Sequence, residues 1–168
     1  MNNRCIYFAE GPCEMQLINA LKERPSKLTP GKVIHLNVVQ DLIPKSRLLG
    51  FSKGTRVVFA FDTDVRETAH LKKNIELIKR YCTNVKVIIL AQVLNLEDEL
   101  VRATDVKKVE ELTKSSGINN FKSDFCRLKT AECRKMLERH HIDVEVLWTS
   151  KRPDDFAFLE QNSGIVKI

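Results

Sequence analysis

Three acidic side chains follow two short apolar segments of the chain, at the point where each segment ends. Glu10 comes after the segment 4–9, and Asp62 and Asp64 come after the segment 56–61. Residues two apart on an extended strand project to the same side, so both aspartates can face one ion. Carboxylates held together repel one another unless a cation lies among them, and their hard oxygens suit Mg²⁺ or Mn²⁺. The sequence therefore predicts a metal site formed by these three residues.

The chemistry that such a site supports is the cleavage of a phosphodiester bond. A divalent metal makes a bound water more acidic and neutralises the charge that develops on phosphate oxygens. Asp62 and Asp64 would bind the metal, and Glu10 would serve as a further ligand or as the general base. The simpler alternative is that 62–64 is a polar turn that caps a helix, and that Glu10 interacts with a helix dipole.

The elements that must position these carboxylates are strands that alternate with helices. Short β-branched or aromatic segments predict strands at 4–9, 32–39, 56–61, 85–90 and 144–148. Apolar periodicity predicts helices at 12–23, near 46–49, at 67–82, 96–103, 106–114 and 119–141, and near 155–161. This alternation predicts an α/β fold with a mainly parallel sheet covered by helices on both faces. In such sheets, ligands bind beyond the carboxyl ends of the strands.

The whole chain of 168 residues is predicted to form one domain, with a core at about 4–104 and a mainly helical extension at about 105–168. No apolar stretch approaches the roughly 20 residues of a membrane span, and no signal peptide is visible. The five cysteines are an odd number without paired spacing, so free thiols in a reducing cytoplasm are expected. Cys126 and Cys133 are expected to be small buried residues on the predicted helix 119–141.

The charge balance favours a polyanionic partner such as DNA or RNA. Lysine and arginine number 28 against 22 acidic residues, which gives a net charge of +6 and an isoelectric point near 9.1. Lys151 and Arg152 follow the predicted last strand, where a cation could hold a phosphate group. The alternative is that these two residues, like the basic clusters on the predicted helices, are solvated surface charges.

A strand that ends in Glu-Gly, a helix, and a later strand that ends in Asp-x-Asp together resemble the Toprim domain. That domain occurs in type IA topoisomerases, in DnaG-type primases and in nucleases of the OLD and RloB type. The spelling Glu10-Gly11-x-x-Glu14 and the stretch Leu96-Glu97-Asp98-Glu99-Leu100 are most similar to the OLD and RloB branch. The glycine that primases and topoisomerases often carry soon after Asp-x-Asp is absent from Val65-Arg66-Glu67-Thr68. The resemblance covers about 4–104.

The resemblance implies a Mg²⁺- or Mn²⁺-dependent nuclease that acts on DNA or RNA, with Glu10, Asp62 and Asp64 in the site and Glu97 as a further member. It also implies a role in phage defence together with an ATPase. The sequence has no phosphate-binding Gly-rich loop for ATP, so that ATPase would have to be a separate chain. Two alternatives from other classes stay open. One is a Toprim-like module that binds nucleic acid or assembles with a partner without cleaving. The other is metal-dependent phosphoryl transfer on a small nucleotide.

Three adjacent acids near the start of the predicted helix at 96–103 have different expected roles. Asn95 has the character of an N-cap, which puts Asp98 at the third helical position. At about 100° per residue, Asp98 points away from the buried stripe of the helix, and Glu97 and Glu99 flank that stripe. The resemblance selects Glu97 for the site. The alternative is that all three acids only favour the N-terminus of the helix.

Overall fold

A four-stranded parallel sheet forms the centre of the molecule. The computed structural model describes residues 4–168. In the sheet the strands have the spatial order β2-β1-β3-β4, and their bounds are Cys5–Ala9 (β1), Lys32–His35 (β2), Arg56–Asp62 (β3) and Lys86–Gln92 (β4). All residues of β1 are buried, because this β-branched and aromatic strand lies between two neighbours and beneath helices. The predicted α/β fold with a parallel sheet is therefore confirmed.

Helices cover both faces of this sheet. They extend over Pro12–Lys22 (α1), Lys45–Leu48 (α2), Ala69–Tyr81 (α3), Leu96–Ala103 (α4), Glu110–Thr113 (α5), Ile118–Arg127 (α6) and Thr130–Arg139 (α7). Tyr7, Val58 and Leu90 point to the face that α1, α4, α6 and α7 cover. Phe8 and Phe59 point to the opposite face, which α3 and a short 3₁₀ turn cover. None of the helices between residues 4 and 168 is long and apolar enough to cross a membrane.

The helix predicted over 119–141 is wrong, because two helices occupy this region. Leu128 and Lys129 adopt extended backbone angles between α6 and α7. The Glu132 side chain accepts a hydrogen bond from the backbone N–H of Lys129 at 3.1 Å, which begins the second helix. Cys126 and Cys133 therefore lie on different helices, and only Cys133 is fully buried.

The strand predicted at 144–148 is also wrong, because this segment forms successive turns. Trp148 has a left-handed φ of 61°, which a strand does not allow. The position that a further strand would take beside β4 is filled by a side chain instead. Asn162 accepts a hydrogen bond from the backbone of Ile89 at 2.8 Å and donates one to the carbonyl of Val87 at 3.0 Å.

Three other elements are shorter than predicted. The strand β2 ends at His35 and not at 39, because the Asn37 side chain accepts hydrogen bonds from two backbone groups of the following turn. The predicted helix 106–114 is reduced to α5, and the helix predicted near 155–161 is a 3₁₀ turn at Asp154–Phe156. The helices α6 and α7 of the C-terminal extension pack on α1.

Candidate active site at the carboxyl edge of the sheet

Glu10 is fixed at the point where three strands of the sheet end. The register that pairs Ala9 with Ala60 brings it beside the end of β3. Its Oε2 atom accepts a hydrogen bond from the backbone N–H of Asp62, and its Oε1 atom accepts one from the side chain of Asn37, both at 2.8 Å. Burial raises the pKa of Glu10, and these two hydrogen bonds offset part of the rise. Asn37, which follows β2, was not found from the sequence.

Asp62, the last residue of β3, has a carboxylate oxygen without a partner. Within residues 4–168 its Oδ1 atom is buried and accepts no hydrogen bond. Burial, together with the nearby charges, raises the pKa of Asp62 from its usual 3.8 to about 8. The charges that contribute are those of Glu14, Glu10, Asp64 and Glu97. An ionised group in this position costs free energy unless a cation neutralises it.

The turn after Asp62 is shaped by a buried threonine. Thr63 donates from its backbone N–H to the carbonyl oxygens of Gln92 and Leu94, and its hydroxyl also bonds to the ends of this loop. These bonds tie the end of β3 to the end of β4 and leave Asp64 exposed just beyond. Gln92 pairs with Asp62 across the two strands, and its side-chain oxygen is likewise buried without a partner among the described residues.

Glu14 lies close to this acidic group, and the sequence reasoning did not assign it to the candidate site. It lies in the first turn of α1 and is buried. Burial and the charges of Glu10 and Glu97 raise its pKa, which shows that it belongs to the same acidic group. Gly11 leaves room for it, since a Cβ at Gly11 would lie 2.9 Å from Glu14 Oε2. The signal that could have found it was an acidic residue in the first turn of the helix that directly follows Glu10-Gly11.

Glu97 lies in the first turn of α4, and its charge contributes to the raised pKa values of Asp62 and Glu14. Its side chain is only 8% exposed, and its Oε1 atom lies 3.1 Å from the Nζ atom of Lys122 on α6. This hydrogen bond raises the pKa of Lys122. Lys122 was not assigned to the site from the sequence, because only the packing of α6 brings it there. The ammonium group of Lys122 therefore lies at the margin of the acidic group.

The other two acids of this helix have structural roles. Asn95 accepts a hydrogen bond from the backbone N–H of Asp98 at 2.9 Å, which confirms the predicted N-cap. Glu99 is fully buried, and its carboxylate accepts hydrogen bonds from the backbone of Val93 and of Trp148 and pairs with Arg102 at 2.8 Å. Glu99 thus anchors the C-terminal segment to α4.

Variants of these three acids are expected to separate their roles. Glu97→Gln should lose most of any metal-dependent cleavage and keep its stability, and Asp98→Asn should keep activity and lose at most about 1 kcal/mol through the cap and dipole terms. Glu99→Gln should be the least stable of the three, by about 2–4 kcal/mol, because buried donors lose a charged acceptor. Denaturant unfolding and cleavage assays in parallel check this order. Full activity in Glu97→Gln would remove that residue from the site.

Lys151 and Arg152 lie on the side of this edge that adjoins the end of β4. With Arg66 and Val93 they line a shallow surface cavity of about 420 Å³. The Arg152 guanidinium donates to the carbonyls of Leu159 and Glu160 at 2.6 and 3.2 Å, so it holds the C-terminal segment. Lys151 is exposed. Of the two predicted phosphate ligands, Lys151 therefore has the more available charge.

The donor chemistry of the acidic group fits a hard divalent cation, but its side chains are not arranged as a complete ligand set. Within residues 4–168, no group of three or more acidic, histidine or cysteine side chains is placed to hold a metal ion. Glu10 is engaged by Asn37, and Glu97 is engaged by Lys122. The buried, unpartnered oxygen of Asp62 is the feature that a cation would satisfy. A metal that used Glu97 as a ligand would require this side chain to turn away from Lys122.

Comparison of the chain with protein-family models, with curated proteins and with solved structures found no significant match. The resemblance to the Toprim domain therefore stays a prediction that depends on the residues of the sequence.

Proposed function

We propose that this chain is a Mg²⁺- or Mn²⁺-dependent nuclease that cleaves phosphodiester bonds of DNA or RNA. The observation that carries the proposal is the buried Asp62 oxygen, which has no partner within residues 4–168 and lies among the charges of Glu10, Glu14, Asp64 and Glu97. Such crowding of carboxylates costs free energy when no cation is present. Groups with strongly raised pKa values cluster at functional sites, which favours a functional site here. The resemblance to nucleases of the OLD and RloB type supports the same site.

The surroundings of each acidic residue favour either metal binding or proton transfer. Asp62, Asp64, Glu14 and Glu97 would hold the metal, which when bound activates water and neutralises phosphate charge. Glu10 is held in one orientation by two hydrogen bonds, and its raised pKa suits it to accept a proton from an attacking water.

Lys122 supplies the positive charge at this site. Once Glu97 turns toward a metal, the Lys122 ammonium loses its partner and can bind a phosphate oxygen of the substrate. Its side chain is 57% exposed, so a nucleic acid can reach it. The same lysine thus neutralises Glu97 before the metal binds and contacts the phosphate afterwards.

The experiment that tests the proposal is a panel of metals against substrates. Supercoiled plasmid, linear duplex, single-stranded DNA and structured RNA are each incubated with Mg²⁺, Mn²⁺ or EDTA, with the Asp62→Asn variant beside every wild-type sample. Cleavage that needs a metal and is lost in the variant supports the proposal. Equal cleavage by both proteins indicates a contaminating nuclease and counts against it.

A second candidate is a module that binds nucleic acid without cleaving it. The observation that favours it is that Asn37 and Lys122 already engage Glu10 and Glu97. Binding without cleavage of any substrate in the panel would select this candidate.

By resemblance alone we also infer a role in phage defence beside a separate ATPase, which co-purification with such an ATPase would test.

Nucleic-acid affinity is expected to fall steeply with salt, because basic residues outnumber acidic ones. Contacts with about four to six phosphates would cost roughly two to three decades of affinity between about 50 and 200 mM salt. Fluorescence anisotropy with a labelled oligonucleotide measures this slope. Lys151→Ala should reduce the slope of log affinity against log salt by about 1, the value for one phosphate contact, without loss of stability. Arg152→Ala should also destabilise the protein, because Arg152 bonds to the carbonyls of Leu159 and Glu160. An affinity that barely responds to salt would exclude a phosphate-binding surface.

A further inference from the structure

Two thiols from distant parts of the chain lie in contact beside the acidic group. The Sγ atoms of Cys13 and Cys126 are 2.9 Å apart, although the two residues are 113 positions apart in the sequence. Cys13 lies in the first turn of α1 next to Glu14, and Cys126 lies in the last turn of α6. Both side chains are partly exposed. The other three cysteines are buried: Cys5, Cys82 and Cys133.

We propose that Cys13 and Cys126 are an oxidation site, at which a reversible disulfide joins α1 to α6. A disulfide bond is about 2.05 Å long, so the two sulfur atoms need to approach by only roughly 0.9 Å. Their partial exposure gives a small oxidant access to the sulfur atoms.

The reaction is a thiol–disulfide exchange with a small-molecule disulfide such as oxidised glutathione. One cysteine, as its thiolate, attacks a glutathione sulfur and releases one glutathione thiolate, which leaves a mixed disulfide on the protein. The second cysteine then attacks the protein sulfur of that mixed disulfide and releases the second glutathione. Two protons and two electrons pass in total from the cysteines to glutathione, and an added dithiol reverses both steps.

The bridge would fix the helix that carries Lys122. Lys122 lies one turn before Cys126 on α6, and its carbonyl oxygen is 3.7 Å from the Cys13 sulfur. Its ammonium binds Glu97. Joining α6 to α1 would therefore hold Lys122 over Glu97 and hinder that carboxylate from turning toward a metal. This consequence depends on the proposed function, whereas formation of the disulfide does not.

Peptide mapping of the folded full chain tests the disulfide. The protein is incubated with oxidised glutathione, its remaining thiols are alkylated, and it is digested with trypsin and a glutamate-specific protease. The expected product joins the fragment 11–14 to the fragment 123–127 with the loss of two hydrogen atoms, and it disappears after addition of dithiothreitol. The first fragment contains Cys13 but not Cys5, because Glu10 and Glu14 bound it. A map that shows only glutathione adducts, or Cys126 joined to Cys133, overturns the proposal.

The same serine substitution at three cysteines provides the controls. Cys13→Ser and Cys126→Ser should each abolish the bridged fragment. Cys82→Ser should retain it, because Cys82 lies under the opposite face of the sheet, where its thiol bonds to the carbonyl of Leu48. The bridge should also raise the Tm of the wild type and of Cys82→Ser, but not of the other two variants. A bridged fragment that persists in Cys126→Ser contradicts the assignment.

Access to the acidic group is tested with the same samples. Oxidised wild type should cleave nucleic acid about tenfold more slowly than reduced wild type, should show a smaller rise of Tm with Mn²⁺, and should recover with dithiothreitol. Cys13→Ser should not respond to the oxidant. Equal cleavage and an equal response to Mn²⁺ in both redox states overturn the control of access. If neither redox state cleaves, the proposed function fails, but the peptide map still decides the disulfide.

Discussion

Replacing Asp62 by asparagine is expected to abolish most metal-dependent cleavage while the protein stays folded. The substitution keeps the shape of the side chain and removes the charge of an oxygen that has no partner in the described chain. Loss of a metal ligand or of a positioned base at such a site typically costs roughly two to four orders of magnitude in rate. Glu10→Gln and Asp64→Asn should give losses in the same range, and the newly assigned Glu14→Gln should join them.

The matched control for this set is Asp98→Asn. Asp98 lies in the first turn of α4, and its backbone N–H donates to the side chain of the N-cap residue Asn95. Its carboxylate is not among the charges that raise the pKa of Asp62. It should therefore cleave at the wild-type rate under the same metal concentration. Initial rates over a range of Mn²⁺ concentrations separate a weakened metal site from a lost base, since only the former recovers at high metal. Wild-type rates in Asp62→Asn would refute the site.

The part of this site that the sequence predicted depends on strand ends. Glu10 follows β1 and Asp62 ends β3. Parallel strands bring their carboxyl ends to one edge, so the proximity of the two residues followed from the fold class alone. Asn95 likewise had a local role, and the structure confirms it. Such features need only the residues next to them in the chain.

The residues that were missed depend on packing between distant elements. Asn37 reaches Glu10 across 27 residues, and Lys122 reaches Glu97 only because α6 packs beside α1 and α4. No periodicity of the sequence encodes either contact. The break between α6 and α7 was missed for another reason, because the capping contact of Glu132 lies inside a continuous helical pattern. An apolar segment near Trp148 resembled a strand, but Asn162 occupies the edge of the sheet that it would need.

The protein without metal is expected to lose stability as the pH rises, and Asp62→Asn is expected to remove much of that loss. The folded-state pKa of Asp62 is about 8 against an ordinary 3.8. Below 3.8 both the folded and the unfolded state hold the proton, so the group has no effect on stability. Between 3.8 and about 8 the unfolded state releases the proton first, so the free energy of unfolding decreases with pH and then levels off.

The size of this effect depends first on the burial of Asp62 and then on the neighbouring carboxylates. Each pKa unit corresponds to about 1.4 kcal/mol, but Asp62 is only partly buried, and water near its carboxylate reduces the cost of the charge. We therefore expect a gain of about 1–3 kcal/mol at alkaline pH. Asp62→Asn and wild type should have equal stability in acid and diverge as the pH rises. Urea unfolding in EDTA at several pH values measures the difference. Asp98→Asn, the same change at the start of α4, should keep the pH dependence of the wild type and lie below its curve by at most about 1 kcal/mol.

Added Mn²⁺ should reverse the loss in the wild type alone. A cation that binds the folded state stabilises it by mass action, and it must displace the proton of Asp62, so the stabilisation should grow as the pH rises. Asp62→Asn should gain little at any pH, because its amide oxygen carries no charge to offer the metal. If both proteins lose stability equally with pH and both respond equally to Mn²⁺, the buried oxygen of Asp62 neither causes this loss of stability nor binds the metal.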